Sequence, residues 1–120
     1  MTSTSERKEL HWLLDMREAI EKIEKHPQYA RGRQAFEQDE FFQVWIFYYM
    51  ERIGECASHL RREYDYDNKH PEIDWRGTVG MRRHLVHWYW TADYDKVWEG
   101  VEYLPKIKEK LAALLKERME

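Results

Sequence analysis

Apolar residues recur along the chain at the three- and four-residue spacing of helices, and no stretch alternates as a strand would. Five glycines and three prolines are the main interruptions. The predicted helices span about Ser5–Lys25, Asp39–Tyr64 and Trp75–Trp90, with a last helical stretch from Tyr94 onward. Pro105 predicts a kink or a new helix there. The pattern therefore predicts an all-α bundle of four to five helices.

Polar residues at the predicted helix starts support these boundaries. Asp39, Asp74 and Asp93 each precede a helical stretch, and an aspartate side chain can accept the free backbone N–H groups of a first turn. Asp65–His70 is predicted to be a polar connection, and a short turn of helix is expected near Phe36. The three aspartates thus set where three of the helices should begin.

The second long helix has an unusual composition in its first half. From Phe41 to Met50 nearly every residue is large and apolar or aromatic, which is not the pattern of a one-sided surface helix. We therefore expect burial around most of this helix, in a core and in a subunit interface. Gly54 follows, and because a helix glycine costs about 1 kcal/mol relative to alanine, we expect another helix to pack closely there.

Length and composition narrow the class of protein. A chain of 120 residues predicts one domain, spanning residues 1–120, with a short flexible N-terminal tail. Apolar residues make up 42% and charged residues 36%, which is typical of a soluble globular protein. No apolar run approaches the roughly 20 residues that span a bilayer, and Met1–Lys8 lacks the apolar core of a signal peptide. With one cysteine, Cys56, no intrachain disulfide can form. These features predict a cytoplasmic protein.

The charge balance does not favour general nucleic-acid binding. The net charge is −3, from 20 basic and 23 acidic residues, whereas nucleic-acid binders are more often basic. Contact with RNA would need a local patch, for which the candidates are Arg61, Arg62, Arg76, Arg82 and Arg83. From composition alone, a solvated helix face is the favoured interpretation of these arginines.

Candidate chemistry lies in the third helix, where Arg82, His87 and Tyr89 form an R-x4-H-x-Y pattern. This pattern alone occurs by chance in many chains, but its flanks make it specific. The flanking segments are Ile53–Ala57, Pro71–Arg76, Asp93–Trp98 and Leu104–Lys108. In this order the segments resemble the HepT family of HEPN-domain toxins, densely from His70 to about Leu111. One departure is Arg83, where family members usually carry a small polar residue.

The resemblance implies a fold and an activity. HEPN domains are small antiparallel helical bundles, and many are metal-independent ribonucleases that work as dimers. It implies a ribonuclease toxin of a type VII-like toxin–antitoxin pair, with Arg82 and His87 catalytic. The neighbouring Arg83 and His84 are expected to support substrate binding. Histidine can take the proton of a ribose 2′-hydroxyl, and arginine can stabilise the charged phosphoryl group. RNA is then the substrate.

Helix geometry bears on how these residues meet. Arg82 and His87 are five residues apart, so they diverge by roughly 140° on a regular helix. One subunit cannot easily direct both side chains into one small pocket. A twofold arrangement, in which two copies of this helix line one cleft, resolves the problem and predicts a homodimer.

Tyr89 has a separate role in the resemblance. In HepT proteins the motif tyrosine receives AMP from the cognate antitoxin, a minimal nucleotidyltransferase of the MntA type. The added nucleotide would bring negative charge and bulk to the place where an RNA phosphate must bind. Alternatively, Tyr89 belongs to an aromatic interface with Trp88 and Trp90.

Two other functions are considered besides a metal-independent ribonuclease: a metal enzyme, which the spacing disfavours, and a catalytically silent module, which stays open. Glu51, Glu55 and His59 are spaced by four on the second helix, and His84 and His87 by three on the next. The Glu-x-x-His pairs of bundle di-metal sites do not occur on these helices, so no metal or cofactor is predicted. The open alternative is a catalytically silent HEPN module that binds a nucleotidyltransferase partner or a nucleotide.

Overall fold

The computed structural model describes residues 3–88 and 92–119, except for the side chains of residues 86–88 and 119. The described residues form six α-helices and one short 3₁₀ helix, with no strand among them. The α-helices are α1 Thr4–Glu24, α2 Gly32–Gln38, α3 Glu40–Tyr64, α4 Tyr66–Lys69, α5 Trp75–Trp88 and α6 Tyr94–Met119, and the 3₁₀ helix is Tyr29–Arg31. The predicted all-α class is confirmed.

Side-chain caps begin the helices as predicted. Asp39 accepts hydrogen bonds from the backbone N–H groups of Phe41 and Phe42, at 3.0 and 3.2 Å. The Asp74 carboxylate accepts from the N–H of Gly77 at 2.8 Å. Asp93 caps α6 in the same way, through the N–H groups of its first turn. Satisfying these free N–H groups places the helix starts within a residue of the predicted ones.

Two boundary predictions were wrong. Part of the expected polar connection Asp65–His70 is the short helix α4, because Tyr66 is fully buried and holds this turn against the core. The alternative of a new helix at Pro105 is also wrong, since α6 runs through it without interruption. Pro105 is exposed, and the buried residues Leu104 and Ile107 keep this part of α6 on the core.

The long helices pair in an antiparallel manner. Along α1 and α3, the Trp12 ring stacks on His59 with centroids 3.9 Å apart, and the Trp45 indole N–H donates to the Lys22 carbonyl at 2.9 Å. Residue numbers thus rise on one helix as they fall on the other. Helix α6 also runs antiparallel to α1. The ion pairs Glu24–Lys108 and Glu9–Arg118, both at 2.7 Å, show this direction. The antiparallel bundle is confirmed.

A buried polar network joins three helices of the core. The Tyr66 hydroxyl, on α4, donates to the Glu9 carboxylate of α1 at 2.6 Å, and Arg118 of α6 pairs with the same carboxylate. Burial, followed by the bond to Glu9, raises the pKa of Tyr66, so its hydroxyl stays protonated and donates. Burial likewise raises the pKa of the Cys56 thiol to about 12, which makes it unreactive.

The first half of α3 is less buried than predicted. Phe42, Ile46 and Phe47 lie in the core, but Phe41 is 87% exposed and Tyr48 57% exposed. In the single chain this helix is therefore not buried around most of its circumference, and the expected subunit interface stays a prediction. Among the described helices, none combines the length and the apolar character needed to cross a membrane.

Candidate functional site

Helix α5, which carries the motif, is held firmly at its first turn. Trp75 is buried, and its indole N–H donates to the His70 carbonyl at 2.9 Å. The Thr78 hydroxyl donates to the Asp74 carbonyl at 2.9 Å, and the Asp74 N–H donates to the Tyr103 hydroxyl of α6 at 2.9 Å. These contacts fix where α5 starts, and hence the positions of the motif residues two turns later.

Arg82 lies on the side of α5 that faces α3. A Cβ built on Gly54 of α3 would lie 2.4 Å from the Arg82 Cβ, 3.3 Å from its Cα and 3.1 Å from the Thr78 carbonyl oxygen. The two helices therefore approach closely at this point, and the packing reason expected for Gly54 is confirmed. The mid-helix glycine signalled a close contact, but the sequence did not show that the contact is with the motif arginine.

The Arg82 side chain is half-buried and incompletely paired. Its Nε atom is buried and has no hydrogen-bond partner among the described residues. Most buried polar groups are hydrogen-bonded, and an unpaired buried donor costs about 1–3 kcal/mol. The guanidinium therefore has donor capacity suited to an anionic oxygen, and arginine donors match phosphate in geometry and charge.

His84, on α5, contacts the residue that precedes α6. Its Nε2 atom accepts the backbone N–H of Asp93 at 3.1 Å, which requires Nε2 to be unprotonated. Sequence reasoning missed this contact, because it depends on how the chain returns nine residues later. The neighbouring Arg83 is exposed. The substrate-binding roles of Arg83 and His84 stay predictions.

The other two motif residues are only partly covered by the described residues. His87 lies in α5, but its side chain is outside them, and Tyr89 lies outside them entirely. Because α5 is an α-helix through Trp88, helical spacing places His87 roughly 140° around the axis from Arg82. The catalytic role of His87 and the AMP-acceptor role of Tyr89 therefore stay predictions.

A cavity of about 330 Å³ separates α5 from α6. Its walls include Asp74, Thr78, Met81, Gly100, Tyr103 and Leu104. None of Arg82, Arg83 and His84 lines it.

On α3, His59 is paired with a carboxylate that was not in the set considered from spacing. His59 contacts the Glu63 carboxylate through Nδ1 at 2.9 Å while stacking on Trp12. In the part of the chain that the structure describes, no group of three or more His, Cys, Asp or Glu residues is placed to hold a metal ion. The set of Glu51, Glu55 and His59 considered from spacing is therefore not assembled into one.

Comparison with known proteins identifies similar chains. The family model described as "Ribonuclease HepT-like" matches residues 16–114. A Thermococcus cleftensis protein named "Probable ribonuclease HepT" is 34% identical over 109 residues, which cover 88% of this chain and 94% of that one. A Methanocaldococcus jannaschii protein named "Putative RNase" is 35% identical over 72 residues, or 59% of this chain and 60% of that relative. No solved structure matches the chain significantly.

Proposed function

The chain belongs to the HepT-like ribonuclease family, and on that premise we propose that it is an RNA-cleaving toxin that needs no metal ion. The observation that carries the proposal is the Arg82 guanidinium, whose buried Nε–H has no acceptor among the described residues. It lies on the same helix as His87. Arg82 is only half-buried, and we infer that the accessible part of its guanidinium donates to an RNA phosphate oxygen, while the buried Nε fixes the side chain against α3.

The proposed reaction is an internal transfer at phosphorus. His87 takes the proton from a ribose 2′-hydroxyl as the oxygen attacks the adjacent phosphorus. The bond to the 5′-oxygen of the next nucleotide breaks, and that oxygen takes a proton from water, so the products are a cyclic phosphate and a free 5′-hydroxyl. His87 then releases the 2′-hydroxyl proton to solvent. Arg82 donates to the non-bridging oxygens while negative charge accumulates on them.

The proposal includes a homodimer that builds one cleft from two copies of α5. Phe41, Val44 and Tyr48, which are 87%, 46% and 57% exposed, form an apolar stripe on α3 at positions i, i+3 and i+7. Such a stripe marks an interaction surface. A second copy is the occupant we propose, because a twofold interface presents the same stripe from both sides and brings residues of two motif helices together.

The dimer can be tested with a charge placed in the stripe. Wild-type protein is expected to be a dimer at micromolar concentration, and Tyr48→Glu a monomer with much weaker RNA cleavage, because burying an unpaired carboxylate is unfavourable. Ala113→Glu adds the same charge on the exposed face of α6 and should stay dimeric. Light scattering gives the mass, and a monomeric wild type would contradict the dimer.

Cleavage itself is tested on purified protein with unstructured RNA. Activity is expected to persist after dialysis against chelator, because the proposed chemistry uses only protein side chains. Cyclic-phosphate ends on the products would identify the internal transfer. Activity that disappears with chelator and returns with a divalent ion would contradict the proposal.

The proposal extends to control and location. Tyr89 is proposed as the acceptor of AMP from an MntA-type nucleotidyltransferase antitoxin, which would make the pair a type VII-like toxin–antitoxin system. RNA and ATP are both cytoplasmic, so we place the activity in the cytoplasm. Residues 1–120 are proposed to act as a single domain.

A further inference from the structure

We propose that Gly54 is the positioning residue for Arg82, in that the absence of a side chain on α3 sets where the motif guanidinium lies. The inference rests on the proposed function, because it assigns a purpose to the placement of an RNA-binding arginine. Gly54 itself contacts no substrate. It acts through the backbone of α5.

An added methyl group at position 54 would contact atoms that cannot move independently of helix α5. They are the Cβ and Cα of Arg82 and the carbonyl oxygen of Thr78, at 2.4, 3.3 and 3.1 Å. Each of them belongs to, or directly adjoins, the backbone of α5, so no side-chain rotation relieves the contact. The helix must shift as a body, or the contact must open.

Other glycines of the bundle provide a contrast. A Cβ at Gly100 would meet only the terminal methyl groups of Met50 and Met81, at 2.9 and 3.1 Å. Methionine side chains are flexible and can move aside. A Cβ at Gly80, on the motif helix itself, would meet no atom of the described residues within 4 Å. Close approach to rigid atoms therefore distinguishes Gly54 from both controls.

The size of the required shift sets the expected effect. Ordinary van der Waals contact begins near 3.4 Å, so a separation of 2.4 Å must open by about 1 Å. Arg82 Cβ is the atom that must retreat, and the guanidinium moves with it. A misplacement of about 1 Å at a reacting centre can lower a rate about 100-fold, and the loss should appear in kcat.

The experiment compares Gly54→Ala with Gly80→Ala and Gly100→Ala as dimers, with the folded fraction of each measured by circular dichroism. At saturating RNA, Gly54→Ala should lower kcat about 100-fold, while both controls stay within a few-fold of wild type. Gly80→Ala also favours helical backbone. The double variant Gly54→Ala/Gly80→Ala therefore offsets lost stability and should show the same low kcat.

A second measurement does not depend on cleavage. The Nε–H signal of Arg82, assigned by its loss in Arg82→Lys, should exchange slowly with solvent in wild type because Nε is buried. It should shift and exchange faster in Gly54→Ala but not in Gly80→Ala. Wild-type kcat per folded molecule together with an unchanged signal would overturn the inference. If wild type fails to cleave RNA, the proposed function fails, and the signal still tests the positioning.

Discussion

Replacing His87 by alanine is expected to lower the rate of RNA cleavage by about 100- to 10,000-fold, the range for loss of a general acid–base group. Arg82→Ala should cost about 100- to 1,000-fold, as for loss of a donor to a developing anion. Because the two residues act on one transition state, the double variant should be little worse than the poorer single one. Initial rates with a short fluorescent RNA provide the measurement.

A matched control separates catalysis from general charge loss. Lys116→Ala removes one positive charge from an exposed position near the end of α6, and its cleavage rate should equal that of wild type. Arg82→Lys keeps the charge but loses the planar fork of donors, so it should recover only part of the activity. Full cleavage by His87→Ala would contradict the assigned base, provided that its circular dichroism matches wild type.

Neutralisation by AMP transfer is expected to be lost completely in Tyr89→Phe, since phenylalanine lacks the acceptor hydroxyl. In the proposed step the tyrosine oxygen attacks the α-phosphorus of ATP, pyrophosphate leaves, and the hydroxyl proton passes to solvent or to a base of the partner. Tyr89 lies seven residues from Arg82, about two helical turns along one face if α5 continued so far. The phosphate of a bound AMP would then compete with RNA for the positive charge of Arg82.

Intact-mass and peptide mass spectrometry after incubation with an MntA-type partner and ATP will locate the modification. Tyr94→Phe and Tyr103→Phe are the controls, because their hydroxyls are already engaged with Gln43 and with the Asp74 N–H. Both should be modified and neutralised like wild type. AMP found on Tyr94 or Tyr103, together with continued neutralisation of the Tyr89→Phe variant, would reject the assignment of Tyr89 as the acceptor. Modification of a wild-type protein that never cleaves RNA would favour the catalytically silent module.

Much of the fold follows from local sequence. Periodic apolar residues and the capping aspartates Asp39, Asp74 and Asp93 set the long helices, because burial of one face and satisfied first-turn N–H groups are local requirements. The predictions that were wrong also have physical explanations. Whether a polar segment such as Asp65–His70 becomes helix depends on one buried anchor, Tyr66, whose partner Glu9 lies 57 residues away. Likewise, the apolar character of the residues in α3 did not distinguish those that lie in the core from those that form the exposed stripe.

The sequence by itself determined the helical class, the family and the order of Arg82, His87 and Tyr89 along the chain, because these depend on residue type and spacing alone. Only the tertiary structure decided which residues the motif helix meets. Gly54, 28 positions before Arg82 in the chain, lies against it because two antiparallel helices approach where one lacks a side chain. Likewise, the His84 ring on α5 accepts the backbone N–H of Asp93, nine residues later in the chain. Such contacts depend on the relative placement of packed helices, which no local pattern encodes.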